Sequence, residues 1–261
     1  RSGVPTSRGG GAMTALLTLT RSELSLFRRT PVAVLFTFLF PLVLLVVLAG
    51  IFGNQPGQEE FAGIPPTDYY LASYVGITIS AFGLMALPVH LAAYRETGVL
   101  RRFRSVGVPA WSYLTSHAIV ELLVTAVASV LLVAVGVIAY DASLPGNWLW
   151  TLLAFGATAV AFVLIGLAIG LLSKSARTAQ AIGLAFFFPM WLLSGGGPPP
   201  NVMGSGLTTV SEFMPLTYGV RALQDGWLDQ DSSPVNYVIL LVVAALAALA
   251  GGYGFKTATT Q

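Results

Sequence analysis

Three ionisable side chains interrupt long apolar stretches of this chain: His90, His117 and Glu121. His117 and Glu121 are four residues apart, so on a helix they share one face. Two imidazoles and a carboxylate could bind a metal, hold a structural hydrogen-bonded cluster, or contact a substrate or gate in a membrane cavity. Three scattered candidates make a weak metal-ligand set, and no metal is expected. A second reactive-looking stretch is basic: Arg95-Glu96-Thr97-Gly98-Val99-Leu100-Arg101-Arg102-Phe103-Arg104-Ser105-Val106-Gly107-Val108-Pro109. Leu100, Phe103 and Val106 make an apolar edge on it, and Pro109 stops it. There is no Gly-x-x-x-x-Gly-Lys-Ser/Thr phosphate loop, because Gly170-Leu171-Leu172-Ser173-Lys174-Ser175 lacks the second glycine.

The surroundings of these residues decide the class. The chain has 261 residues, 55% of them hydrophobic and 9% charged, with a mean hydropathy of +0.78. A soluble domain carries about 25% charged residues. The net charge of +2 is too small to suggest nucleic acid, which is not an expected partner. With no cysteine there is no disulfide framework and no thiolate chemistry.

A helix needs about 20 apolar residues to cross a bilayer core. Six runs qualify: 31–52, 69–94, 113–140, 148–172, 179–195 and 235–255. Twelve of the thirteen Lys and Arg residues then fall on one side, Arg221 alone on the other. Cytoplasmic loops retain Lys and Arg, so both termini are expected inside a bacterial cytoplasmic membrane. Tyr69, Tyr70, Tyr140, Trp148, Trp150 and Tyr237 gather at expected outer ends, and Tyr94, Trp111, Tyr113 and Tyr253 at inner ends. Amphipathic aromatics favour the headgroup level.

Other segments fit around the spans. Residues 1–11 read as a flexible tail and 256–261 as a cytoplasmic one, with Met13 a candidate native start and no visible secretory signal. Residues 12–30 read as an amphipathic helix on the inner leaflet, with Arg21, Arg28 and Arg29 at the phosphates and Glu23 on its apolar side. Within Gly196–Pro234, the stretch Glu212–Leu223 is too apolar for an exposed loop and too short to cross. The whole segment is expected to form short helices re-entering from the outer face. Gly166 and Gly170 form a Gly-x-x-x-Gly pair suited to close helix packing. The fold class is therefore all-α: a polytopic membrane protein with six transmembrane helices.

These segments together resemble the membrane permease of ABC type-2 exporters, over nearly the whole chain after Met13. The resemblance rests on Arg95, Glu96, Gly98, Val99, Leu100, Arg101, Arg102 and Pro109 in the basic loop. It rests also on Ser194, Gly195 and Pro198 at the end of the fifth span, and on Pro215, Leu216, Thr217 and Tyr218. The Gly-Gly-Gly-Pro-Pro-Pro run at 195–200 departs from the single proline of many members. The resemblance implies that a separate ABC ATPase, in two copies, binds ATP and Mg, and that this chain binds no cofactor. The surface helix and the loop containing Phe103 would dock that ATPase, and a second permease copy or homologue would complete the path. Ser194, Gly195, Pro198, Pro215 and Tyr218 would belong to an outer gate, and His90, His117 and Glu121 to the substrate cavity.

The cargo expected from short external loops is a small hydrophobic drug or antibiotic, with a lipid-linked polysaccharide as the alternative. Outside transport, an intramembrane enzyme built on His90, His117 and Glu121, or a non-transporting scaffold, would fit the same composition.

Overall fold

The computed structural model describes residues 20–21, 31–52, 61, 63–99 and 110–260. Among them the helices are α1 (Pro31–Phe52), α2 (Pro66–Ala81), a π-turn (Phe82–Ala86), α3 (Leu87–Glu96), α4 (Ala110–Tyr140), α5 (Trp148–Leu172) and α6 (Ala176–Leu193). A 3₁₀ turn (Pro200–Val202), α7 (Ser205–Ser211), α8 (Pro215–Trp227) and α9 (Pro234–Thr260) follow. Among the described residues, five helices are long and apolar enough to cross a membrane: Pro66–Glu96, Ser112–Tyr140, Trp148–Leu172, Ala176–Leu193 and Pro234–Phe255. The helix α1 has 22 residues, and its apolar part with described side chains is Phe38–Phe52. Residues such as Ile138, Val130 and Leu249 stand more than 60% exposed around the bundle. A surface so apolar suits lipid rather than water.

The span Pro66–Glu96 is one rod made of α2, the π-turn and α3. Pro88 explains its irregularity. It has no N–H to offer the carbonyl four residues earlier, at Leu84, so the ladder shifts there. Glycines on the neighbouring helices receive the displaced backbone. A Cβ at Gly166 of α5 would lie 2.2 Å from the Gly83 carbonyl oxygen, and one at Gly183 of α6 would lie 2.0 Å from that of Leu84. Gly170 meets Leu91 and Pro88 one turn further on. The Gly166–Gly170 pair is thus a packing face for this rod.

The helix α5 is the hub, packed on α9, α8 and α3. The core gathers Tyr70, Tyr74, Leu71, Ile77, Phe162, Phe187, Leu216 and Leu223. Two ends of the bundle differ in charge. Arg95, Lys174 and Arg177 mark a basic end, and Asp68, Asp141, Asp225 and Asp229 an acidic end.

Candidate functional site

At the basic end, Arg95 and Glu96 occupy the last turn of α3, and Gly98 ends it. Gly98 has φ +73°, the left-handed conformation that closes helices, and its N–H reaches the Arg95 carbonyl at 3.2 Å. The Arg95 guanidinium donates from one nitrogen to the Leu171 carbonyl and, at 3.3 Å, to that of Ser173. These carbonyls lie at the C-terminal end of α5, where backbone acceptors lack helical partners. Glu96 acts on the other side of the same turn. Its carboxylate accepts the Ala176 N–H at 3.1 Å, at the start of α6. The Ser175 hydroxyl caps that start by accepting from the Thr178 N–H at 3.2 Å. A cation thus sits at a helix C-terminus and an anion at a helix N-terminus, each in its favoured place. Together they clasp the α5–α6 turn to the end of α3. Leu100, Arg101, Arg102, Phe103 and Pro109 follow directly and lie outside the described residues, as do Glu23, Arg28 and Arg29; Arg21 is exposed.

Inside the bundle, His117 and Glu121 are both buried on α4. His117 packs between Tyr94 and Tyr113, with ring centroids at 5.8 and 4.4 Å. His90 is exposed on α3, one turn before Tyr94, and within electrostatic reach of His117. Glu121 stands one turn further along, and its Oε2 has no hydrogen-bond partner among the described residues. The polar line does not stop there. Thr125 and Ser129 continue the four-residue step, are buried, and carry hydroxyls without partners among the described residues. From His117 to Ser129 the ladder covers about 18 Å of helix. Neither is expected from charge alone, although the four-residue step is visible in the sequence. Polar groups inside a membrane are costly and usually face a bundle interior or a cavity.

At the acidic end, the segment after α6 folds back against the bundle. Gly195 ends α6 with φ +92°, and Ser194 beside it is buried. The Tyr70 and Tyr74 hydroxyls donate to the Gly197 and Gly196 carbonyls, both at 3.1 Å. Pro198 is exposed. The helix α8 runs along α5 in step: a Cβ at Gly226 would meet Thr151, and one at Gly219 would meet Thr158. Seven residues separate each pair, so Gly219 lies about 15 Å along α5 from its start at Trp148. Gln224 donates to the Ser73 hydroxyl at 2.9 Å, and the Trp227 indole to the Ser143 carbonyl at 3.0 Å. The α7–α8 turn is fastened by Glu212. It accepts both Arg221 nitrogens, at 3.0 and 2.6 Å, and the Tyr218 hydroxyl donates to its carbonyl at 2.7 Å. Hydrogen bonds from Arg221 hold the Glu212 carboxyl below its usual range. Pro215 opens α8, where its missing N–H costs nothing.

A family model for ABC-2 type transporters matches residues 14–228, which include the clasp, the ladder and the folded-back segment. The chain belongs to that family. No curated protein matches it. As an ABC-2 family membrane component, the permease is a multi-pass membrane protein, and its three constellations sit at the ends and in the interior of a transporter bundle. The hydrogen bonds of Tyr70, Tyr74 and Gln224 have no signal in the local sequence, because each crosses more than 120 residues of chain.

Proposed function

We propose that this permease is the membrane half of an ATP-driven exporter in a bacterial cytoplasmic membrane. It moves a small hydrophobic or amphiphilic compound, of drug or antibiotic type, outward. Two permease subunits pair with two ATPase subunits, which bind ATP and Mg. The basic end faces the cytoplasm with both termini, and α1 is the first of six spans. The helix at 12–30 lies on the inner leaflet.

The observation that carries the reading is the clasp of Arg95 and Glu96 on the α5–α6 turn. It ties the loop that would receive the ATPase stroke to two further helices. Leu100 and Phe103 insert into an ATPase groove, while Arg101 and Arg102 meet its acidic rim. ATP then shifts the population between an inward and an outward state. The segment α7–α8 dips from the outer face and, with Ser194, Gly195, Pro198, Pro215 and Tyr218, forms the gate. Its packing along α5 as deep as Thr158 supports this, as half of a roughly 30 Å core is about 15 Å. His90, His117 and Glu121 receive the polar part of the cargo, and the unpartnered Oε2 of Glu121 supports that role.

Co-purification with the ATPase tests the coupling. Burial of each apolar side chain is worth roughly 1.5–3 kcal/mol, so Leu100→Ala with Phe103→Ala should abolish ATPase association while leaving the permease in the membrane. Unchanged cargo-stimulated hydrolysis would remove the assignment. Orientation has its own check. Cysteine replacing Ser232 should react with an impermeant thiol reagent in intact cells, and cysteine replacing Ser105 should not. The opposite pattern would invert the topology.

A further inference from the structure

A groove of 960 Å³ runs between α5, α6 and α9, and Phe213, Met214 and Pro215 close one end of it. None of His90, His117 and Glu121 lines it. Its walls are apolar, with Ile169 of α5 facing it along with Ile182 and Phe186, one turn apart on α6. Its other end reaches the α5–α6 turn, where Ser173 and Lys174 line the mouth. There the chemistry changes. Lys174 is exposed and makes no ion pair among the described residues. Ser173 is 3% exposed, and its hydroxyl has no hydrogen-bond partner among the described residues. The Thr178 hydroxyl is already engaged with that of Ser175 at 3.0 Å. The nearby carboxylate, Glu96, is bound to the Ala176 N–H.

We infer that this groove holds one membrane phospholipid with an anionic headgroup, taken from the leaflet at the basic end. The ammonium of Lys174 meets the phosphate and the Ser173 hydroxyl adds a polar contact. An acyl chain lies against Ile169, Ile182 and Phe186. Three features select this occupant. An apolar groove does not retain water. A lysine at a helix end is placed at the headgroup level, where basic residues attract anionic lipid. From Lys174 to Phe186 the wall rises about 18 Å, enough for a chain reaching the middle of a roughly 30 Å core. The site lies beside the clasped turn, so the lipid supports the same joint from its membrane side. The inference concerns a resident lipid and does not depend on export or on the orientation proposed above.

Native mass spectrometry of the purified full chain, from micelles doped with equal phosphatidylglycerol and phosphatidylcholine, tests it. The expected result is one retained phosphatidylglycerol per chain. Lys174→Gln should lower the preference for it at least tenfold, while Arg177→Gln, an exposed cation on the same turn, should leave it unchanged. Ile182→Trp, which fills the groove, should remove lipid of both kinds from a chain that is still monodisperse. An equal loss with Arg177→Gln would reduce the effect to general surface charge and overturn the site. Retention of lipid by the Ile182→Trp chain would overturn it as well. So would a loss of self-association in that variant with lipid binding intact, which would give the groove to a second copy.

Discussion

Gly183→Leu should fail to accumulate as folded protein, and even Gly183→Ala should melt well below the parent chain. The reason is local and steric. A Cβ at Gly183 would stand 2.0 Å from the Leu84 carbonyl oxygen and 3.0 Å from its carbon. That carbonyl is backbone, held by the π-turn that Pro88 imposes, so it has no flexible end to swing aside. Forcing atoms into a packed core costs about 1–3 kcal/mol, and more where the neighbour cannot yield. Close approach through small residues is also what holds membrane helices together, since lipid offers them no hydrophobic driving force. Gly166→Ala should behave similarly, with its Cβ 2.2 Å from the Gly83 oxygen. The control is Gly156→Ala on α5, which meets nothing within 4 Å. There the better helix propensity of alanine should leave stability equal or slightly raised. Size-exclusion profiles and thermal melts in detergent read all three. A Gly183→Ala chain that melts with the parent would show that α6 does not lean on the π-turn.

The helical, multi-pass character of the chain was legible because apolar runs of membrane length need no tertiary context. The Gly166–Gly170 pair was legible for a similar reason, as its spacing alone puts both glycines on one face. What they pack against was not, because the partner surface is made by a π-turn. Pro88 hints at an irregularity, but whether a helix breaks, kinks or bulges depends on neighbours such as Gly183. Polar residues inside spans were partly legible. His117 and Glu121 stand out by charge, whereas Thr125 and Ser129 look ordinary until the four-residue step is followed. The basic loop was read as one docking element. Arg95 and Glu96, at its start, also reach the turn at 171–176, across some 80 residues, and no local pattern announces that contact. The folded-back segment was legible in its apolarity, since an exposed loop rarely carries Phe213, Leu216, Val220 and Leu223 together. Its in-step run along α5 depends on Gly219 and Gly226 meeting Thr158 and Thr151.

Arg95→Ala should uncouple transport from ATP hydrolysis while leaving assembly with the ATPase intact. A hydrogen bond from a charged donor is worth about 1.5–3 kcal/mol, so losing even one of the two shifts the balance of attached and detached turn by a factor of about 10–150. A turn no longer tied to α3 would not follow the Leu100–Pro109 loop when the ATPase closes. Transport should fall at least tenfold, with hydrolysis persisting. Arg95→Lys should recover only part: both contacts come from one guanidinium nitrogen, and the ammonium that would replace it is more strongly hydrated and sits on a shorter side chain. Glu96 gives the complementary test. Glu96→Gln keeps a carbonyl oxygen for the Ala176 N–H but loses the charge at the α6 N-terminus, a difference of about 0.3–1 kcal/mol. It should therefore stay closer to the parent than Glu96→Ala. The order matters more than any single value. If the two residues instead touch the ATPase directly, Arg95→Ala and Glu96→Ala should weaken co-purification. If they only stabilise the fold, thermal melting should fall in step with transport, and the lysine and glutamine variants should bring both back together. Loss of coupling with unchanged association and unchanged melting is the outcome that belongs to the clasp.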